Sequence, residues 1–227
     1  MKALAIDAAS SSLVVAARNG ANTVTLSLDI GTRQSEKLLP AIDYVLSQVE
    51  LSASELDYTV LCKGPGTFTG LRLAFSALKA IELAHNVPIY GIDSLTAFAF
   101  PYKSFPNKIV SVIDAKKDQF FAAVYQGERT LLEAQDTTIE TVLSLLEAHE
   151  TIITTGPDAA VFAAALKAKN STLTITYVES PLAATDALFM LAEEAVEKEM
   201  PPLQDYEGPA YLRKSEAELS LEARSSL

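Results

Sequence analysis

What this chain does without narrows it first. It has a single cysteine, Cys62, so no internal disulfide can form and a reducing compartment is expected. Only two histidines occur, His85 and His149, far apart and outside any His-Glu-x-x-His or comparable spacing, which leaves metal hydrolysis without a ligand set. No Gly-x-Ser-x-Gly elbow is present, and no local sequence supports a serine–histidine–acid triad. Basic residues are outnumbered: 18 Lys and Arg against 29 Asp and Glu leave a net charge of -11. A free-standing nucleic-acid binder needs a basic face to displace counterions from phosphates, so only a basic partner would bring this chain to an RNA. No stretch reaches the roughly 18 uninterrupted apolar residues of a membrane helix, and residues 3–6 are too short a run for a signal-peptide core. A cytoplasmic protein with no membrane attachment is expected.

What is present is apolar and ordered. Hydrophobic residues make up 49% and charged residues 21%, the proportions of a folded globular chain. At 227 residues it has core enough for one large domain or two small ones. The most informative stretch is Gly64-Pro65-Gly66-Thr67-Phe68-Thr69-Gly70-Leu71-Arg72, between an apolar run at 58–62 and a stretch of helical spacing at 71–84. Strand, glycine turn and helix start is the layout of an anion cradle, because a helix N-terminus presents unpaired N–H groups. It is not a Walker loop, since Leu71-Arg72 stand where Lys-Ser/Thr is needed.

Along the chain one order of elements occurs twice. Strands are predicted at 2–7, 13–18 and 23–28, the last two joined at the hairpin signal Asn19-Gly20. A helical stripe at 35–49, a strand at 58–62, a helix at 69–85, a strand at 88–91 and a short helix near Ser94 follow. The second half repeats it with strands at 108–114, 120–125 and 130–134, helix 138–149, strand 151–155, helix 158–168, strand 173–178 and helix 184–199. Each half's first strand ends in an aspartate, Asp7 and Asp114, and the two prolines within 100–107 mark the boundary. This order resembles that of the actin-like ATPase superfamily (ASKHA, ribonuclease H-like). The expectation is an α/β chain of two lobes, 1–100 and 101–227, each a mixed sheet flanked by helices.

In that superfamily the loop after each lobe's first strand approaches nucleotide phosphates, which requires glycine because a Cβ holds backbone away. The loops at 7–12 and 114–118 contain none. Two readings stay open. Asp7 and Asp114 end strands and cap turns, or Asp7 holds a hydrated magnesium while Ser10, Ser11 and Ser12 donate to phosphate in a small-molecule kinase or ATPase. Cys62 reads as a buried small hydrophobe, and His85 and His149 as cations at helix C-termini. The helix after the glycine turn is apolar nearly all round, and the stripe at 35–49 is broader than one sheet contact requires. Either both helices are buried in one domain, or Leu38, Leu39, Ile42, Val45 and Leu46 join Ala74, Ala77, Leu78 and Ile81 in an interface with another subunit.

On these residues the chain resembles the bacterial TsaB (YeaZ) family along essentially its whole length. The nonapeptide from Gly64 to Arg72 carries most of the resemblance. Leu4-Ala5-Ile6-Asp7, Ser35-Glu36-Lys37-Leu38-Leu39-Pro40, Val112-Ile113-Asp114-Ala115-Lys116-Lys117 with Tyr125, and Pro209-Ala210-Tyr211-Leu212-Arg213 add to it. One departure is Gln34, where relatives often carry histidine. The paralogous catalytic subunit, TsaD, binds metal through two histidines at the corresponding helix, and this chain has none there.

The resemblance implies a scaffold subunit with no catalytic or metal-binding residues, paired with a TsaD-type subunit. That pair makes threonylcarbamoyladenosine beside the anticodon of tRNAs reading ANN codons. It further implies docking of a TsaE-type ATPase, homodimers when the catalytic subunit is absent, and tRNA contact only through partners. No cofactor is expected on the chain alone, with ATP or ADP confined to the interface of the complex. Because the family's first two helices build the TsaD interface, the resemblance moves the open choice toward the interface reading. The nonapeptide then sets the angle of a partner-binding helix, which Thr67 and Thr69 cap, and need touch no substrate. A peptidase activity, once proposed for relatives, has no motif here. The polar, helix-prone tail beyond Arg213 reads as a solvated terminal helix or a frayed end.

Overall fold

The structure, a computed structural model, describes residues 1–179 and 181–213, with backbone alone for 181–183; the tail beyond Arg213 lies outside the described residues. Strict alternation builds the first sheet. In β1 (Lys2–Asp7) and β2 (Ser12–Asn19), Leu4, Ile6, Leu13, Val15 and Ala17 face one side, and Ala3, Ala5 and Ala16 the other. β2 turns into β3 (Asn22–Asp29) through Gly20-Ala21, with Gly20 at φ +59°, one position later than the Asn-Gly pair predicts. β4 (Tyr58–Gly64) and β5 (Ile89–Asp93) add in parallel, giving the order β3-β2-β1-β4-β5.

The second sheet repeats this topology strand for strand. β6 (Lys108–Lys116), β7 (Gln119–Gln126), β8 (Arg129–Thr137), β9 (Thr151–Thr155) and β10 (Thr174–Val178) are ordered β10-β9-β6-β7-β8. Helices α1 (Gln34–Gln48) and α2 (Phe68–His85) cover the outer face of the first sheet; α4 (Ile139–Leu143) and α5 (Ala159–Lys169) cover that of the second. Between the sheets lie α3 (Ser94–Ala99) and α6 (Pro181–Glu197), in a core shared by both. The small inner residues of β1 and β2 leave room for α6, whose Ala184, Ala187, Leu188 and Ala192 are buried there.

Two expectations need correction. The boundary at 100–101 separates the strands of the two sheets, but not the material of the two lobes. α6 packs on β1, β2, β4 and β5, with the Arg18 guanidinium 4.4 Å over the Phe189 ring and 3.3 Å from Glu193. Residues 200–211 then run back along the first lobe. The helix expected at 138–149 stops at Leu143, because Leu145 and Leu146 donate to Val142 and Leu143 in tight turns. Lys108 Nζ donates to the Leu145 carbonyl at 2.8 Å and pairs with Glu150, drawing the chain down to β6. His149 therefore ends no helix; it sits in a turn at φ +62°. His85 does close α2. Among the described residues no helix is long and apolar enough to cross a membrane.

Candidate functional site

The glycine motif works on the protein's own backbone. Gly64 ends β4 at φ +108°, and a cis peptide joins it to Pro65. Thr67 precedes α2, and its N–H donates to the Ala9 carbonyl at 2.8 Å while Oγ1 donates to Ala8 O at 3.3 Å. A Cβ on Gly66 would lie 2.4 Å from Ala9 O, and one on Gly70 2.0 Å from Ala8 O. The absence of side chains at 66 and 70 lets the turn lie directly on the loop after β1. Thr67 occupies the cap position, but its side chain makes no bond to the helix N–H groups, and Thr69 lies inside the helix. The capping expectation fails because both of Thr67's polar groups brace that loop. Gln34, at the position where the resemblance would place a histidine, is 5% exposed and donates to Ser10 O at 2.8 Å. It adds another brace.

Asp7 ends β1, whereas β6 runs two residues past Asp114 to Lys116, beyond the end expected at 114; the two aspartates nevertheless make the same local bond. Asp7 Oδ1 accepts the Ala9 N–H at 2.9 Å, and Asp114 Oδ1 accepts the Lys116 N–H at 2.7 Å. Burial pushes the Asp7 carboxyl above the usual carboxylate range, against the Ala9 N–H and Cys62 contacts that favour its ionised form. Burial also acts on Asp114, but the Lys116 ammonium and N–H outweigh it and hold that carboxyl low. Cys62 is fully buried, 3.1 Å from Ser94 Oγ, and burial pushes its thiol well up, the state of an inert core cysteine.

A cleft of about 480 Å³ separates the lobes, with Ser10, Thr67 and Thr69 on one wall and Asp114, Lys116 and Asp158 on the other. Asp7, Ser10, Ser11 and Ser12 line a smaller cavity of about 220 Å³ beside it. Three backbone donors of the cleft loops are already paired within the chain. The Ala9 N–H is taken by Asp7, the Thr67 N–H by Ala9 O, and the Asp114 N–H by Asp158 Oδ2 at 2.8 Å. A second Gly-Pro, missed in the sequence, mirrors the first. Gly156, at φ +114°, follows β9, and a Cβ there would meet Val112 O at 2.2 Å. The signal was available, since Gly64-Pro65 and Gly156-Pro157 hold the same place in each half. Among the described residues no three His, Cys, Asp or Glu side chains are grouped to hold a metal ion.

The expected interface stripe divides in two. Leu38, Val45, Ala74 and Leu78 are buried against the lobe's own sheet, so they cannot present themselves to another chain. Ile42 and Leu46 sit at the edge of that core. Leu39 is 66% exposed, and Ala77 and Ile81 are half-buried. These last three meet Ile42 and Leu46 along a groove between α1 and α2 of about 530 Å³. Exposed Ala80 and Ala84 continue it. Ala77, Ala80 and Ala84 of α2 therefore border the groove, while Ala74 is buried beneath it.

Over residues 30–220 the chain matches the family model described as TsaD: tRNA N6-adenosine threonylcarbamoyltransferase. It is 29% identical over 99 residues to the tRNA threonylcarbamoyladenosine biosynthesis protein TsaB of Bacillus subtilis, covering 44% of this chain and 43% of that protein. To the Escherichia coli protein of the same name it is 27% identical over 154 residues, covering 66% of this chain and 65% of the other. The matched stretch thus spans less than two thirds of these relatives. The solved structure of YeaZ from Pseudomonas aeruginosa has a TM-score of 0.76 at 20% identity, covering 93% of this chain and 99% of that one. The two-lobed actin-like α/β fold expected from the duplicated element order is the fold observed.

Proposed function

The chain belongs to the TsaB (YeaZ) family, within the wider family of tRNA N6-adenosine threonylcarbamoyltransferase, and from that premise we propose that it acts in tRNA threonylcarbamoyladenosine biosynthesis as a non-catalytic subunit of a TsaD-type enzyme. The observation that carries the reading is the uncovered apolar groove between α1 and α2. Leu39, Ala77 and Ile81 border it, and the small residues of α2 allow a partner helix to approach to roughly 8 Å. A face of this composition is stabilised by apolar burial against another chain rather than by water.

The division of labour follows from the cleft. The N–H groups of Ala9, Thr67 and Asp114 are spent on the chain's own carbonyl and carboxylates, which supports a docking role for this subunit with the transfer chemistry on the partner. With a net charge of -11, it leaves contact with tRNA to the other subunits. A TsaE-type ATPase docks on the pair, any ATP or ADP lies at the interface, and the same groove supports a homodimer when the partner is absent. A cytoplasmic location completes the proposal. A kinase or ATPase working through Asp7 and Ser10, Ser11 and Ser12 is not favoured, because Asp7 is buried and capped by Ala9.

The test is reconstitution of the tRNA modification from purified partners with and without this chain, alongside calorimetric titration of the chain alone with Mg-ATP. Product formation that depends on the chain, with no heat from the chain alone, is the expected result. Micromolar binding followed by turnover would overturn the reading.

A further inference from the structure

After α6 the chain returns over the first lobe and then crosses to the second. Leu203 N–H donates to Ile89 O at 2.8 Å, Lys79 pairs with Asp205 at 2.9 Å, and Ala210 N–H donates to Lys63 O at 2.7 Å. Tyr211 stacks on Phe68, with ring centroids 4.6 Å apart and planes 18° from parallel. Its hydroxyl accepts from Arg72 Nε at 3.0 Å. Two residues later, Arg213 is bound to the other lobe. Its Nε and Nη2 fork onto the Asp136 carboxylate at 2.6 and 3.0 Å, Nη2 also donates to Gln119 Oε1 at 2.6 Å, and Nη1 donates to Ala115 O at 2.7 Å.

This crossing stands at the far end of β6 from the linker. The linker at 100–107 enters β6 at Lys108, whereas Arg213 holds Ala115, next to the strand's last residue. At ~3.3 Å per residue the two attachments are roughly 23 Å apart. The residues it joins also flank the cleft walls. Phe68 lies between Thr67 and Thr69 on one wall, and Ala115 between Asp114 and Lys116 on the other.

We infer that residues 209–213 are a latch across the rim of the interlobe cleft, fixing the angle between the lobes. The linker and the core shared through α3 and α6 join the lobes behind the cleft; an attachment at the open rim limits the hinge motion that remains. Arginine suits the task because its planar fork binds a carboxylate through two N–H groups and still donates to a carbonyl, which a lysine ammonium cannot reproduce in one geometry. The latch also gives Phe68 and Arg72 a use that the backbone turn does not: together they seat Tyr211. It holds whether or not the α1–α2 groove binds a partner.

The test is a double electron–electron resonance distance between spin labels on Thr25→Cys in β3 and Ala168→Cys in α5, both exposed positions, in the full chain. Cys62 is 0% exposed and takes no label in the folded protein. A single narrow distance is expected for the otherwise unaltered chain, and a broadened distribution for Arg213→Ala, without recovery in Arg213→Lys. Asp136→Asn, nearly isosteric and on the opposite side of the contact, should broaden it as well and carries the test if Arg213→Ala does not fold. A distribution that stays narrow in the folded variants overturns the latch.

Discussion

Replacing Gly70 with alanine sets two opposed effects against each other, and the structure decides between them. Gly70 lies inside α2, at a φ that any residue can adopt, so by helix propensity alone alanine should stabilise the protein by about 1 kcal/mol. A Cβ there, however, would sit 2.0 Å from Ala8 O, 2.7 Å from Thr67 Oγ1 and 2.9 Å from Gln34 Oε1. The Ala8 carbonyl cannot withdraw cheaply, because the loop carrying it is held by Thr67 through Ala8 and Ala9 and by Gln34 through Ser10. Overpacking of this kind costs roughly 2 kcal/mol, and losing two of those bonds costs about 1 kcal/mol each. The net expectation is a loss of about 3 kcal/mol. With a urea m-value of about 3 kcal/mol/M, the unfolding midpoint falls by about 1 M. A midpoint unchanged or raised in Gly70→Ala would refute the view that the motif's glycines exist for contact with the loop after β1.

Other expectations follow from single residues. His149→Gly should raise stability by roughly 1 kcal/mol in urea melts, because glycine adopts φ +62° without the steric cost of a Cβ; a loss instead would restore the histidine to a capping role. Asp7 has its carboxyl pushed above 3.8 by burial, so the folded state holds its proton more tightly than the unfolded chain. Stability from that group is full below the unfolded value and is lost as pH rises through the folded one. Asp7→Asn, which keeps an acceptor for the Ala9 N–H, should therefore melt higher than the unaltered chain at pH 7, with the gap closing as pH falls toward 4. A lower melting temperature at pH 7 would mean that the ionised carboxylate is needed.

The strands and their succession along the chain were legible because alternation is a local signal that both halves carry, with Asn19-Gly20 marking the first hairpin. The end of α4 was not, because Leu145 and Leu146 continue a helical stripe while the Lys108 ammonium that accompanies the turn comes from a distant strand. Apolar stripes on α1 and α2 were equally plain, but a stripe does not say what covers it. Leu38 and Leu39 are about 100° apart on a helix, and that angle separates a residue packed on its own sheet from one left outward. Gly66 and Gly70 announced a close backbone approach, yet not whether a ligand or Ala8 and Ala9 would fill it. The seat of Tyr211 could not be read at all, since its partner Arg72 is 139 positions away.

Capture of a TsaD-type subunit by the Leu39→Glu variant tests the central proposal most directly. Leu39 is 66% exposed and Leu46 6%, so a charge at 39 should leave melting within about 0.5 kcal/mol of the unaltered chain, whereas Leu46→Glu buries a carboxylate and damages the fold itself. A glutamate on the border of an apolar docking groove should weaken binding by about 1.4 kcal/mol, about tenfold in Kd. The prediction is a folded Leu39→Glu protein that no longer co-purifies with the catalytic subunit at full stoichiometry. Undiminished co-purification with an unchanged Kd would contradict the assignment of the α1–α2 groove as the docking face.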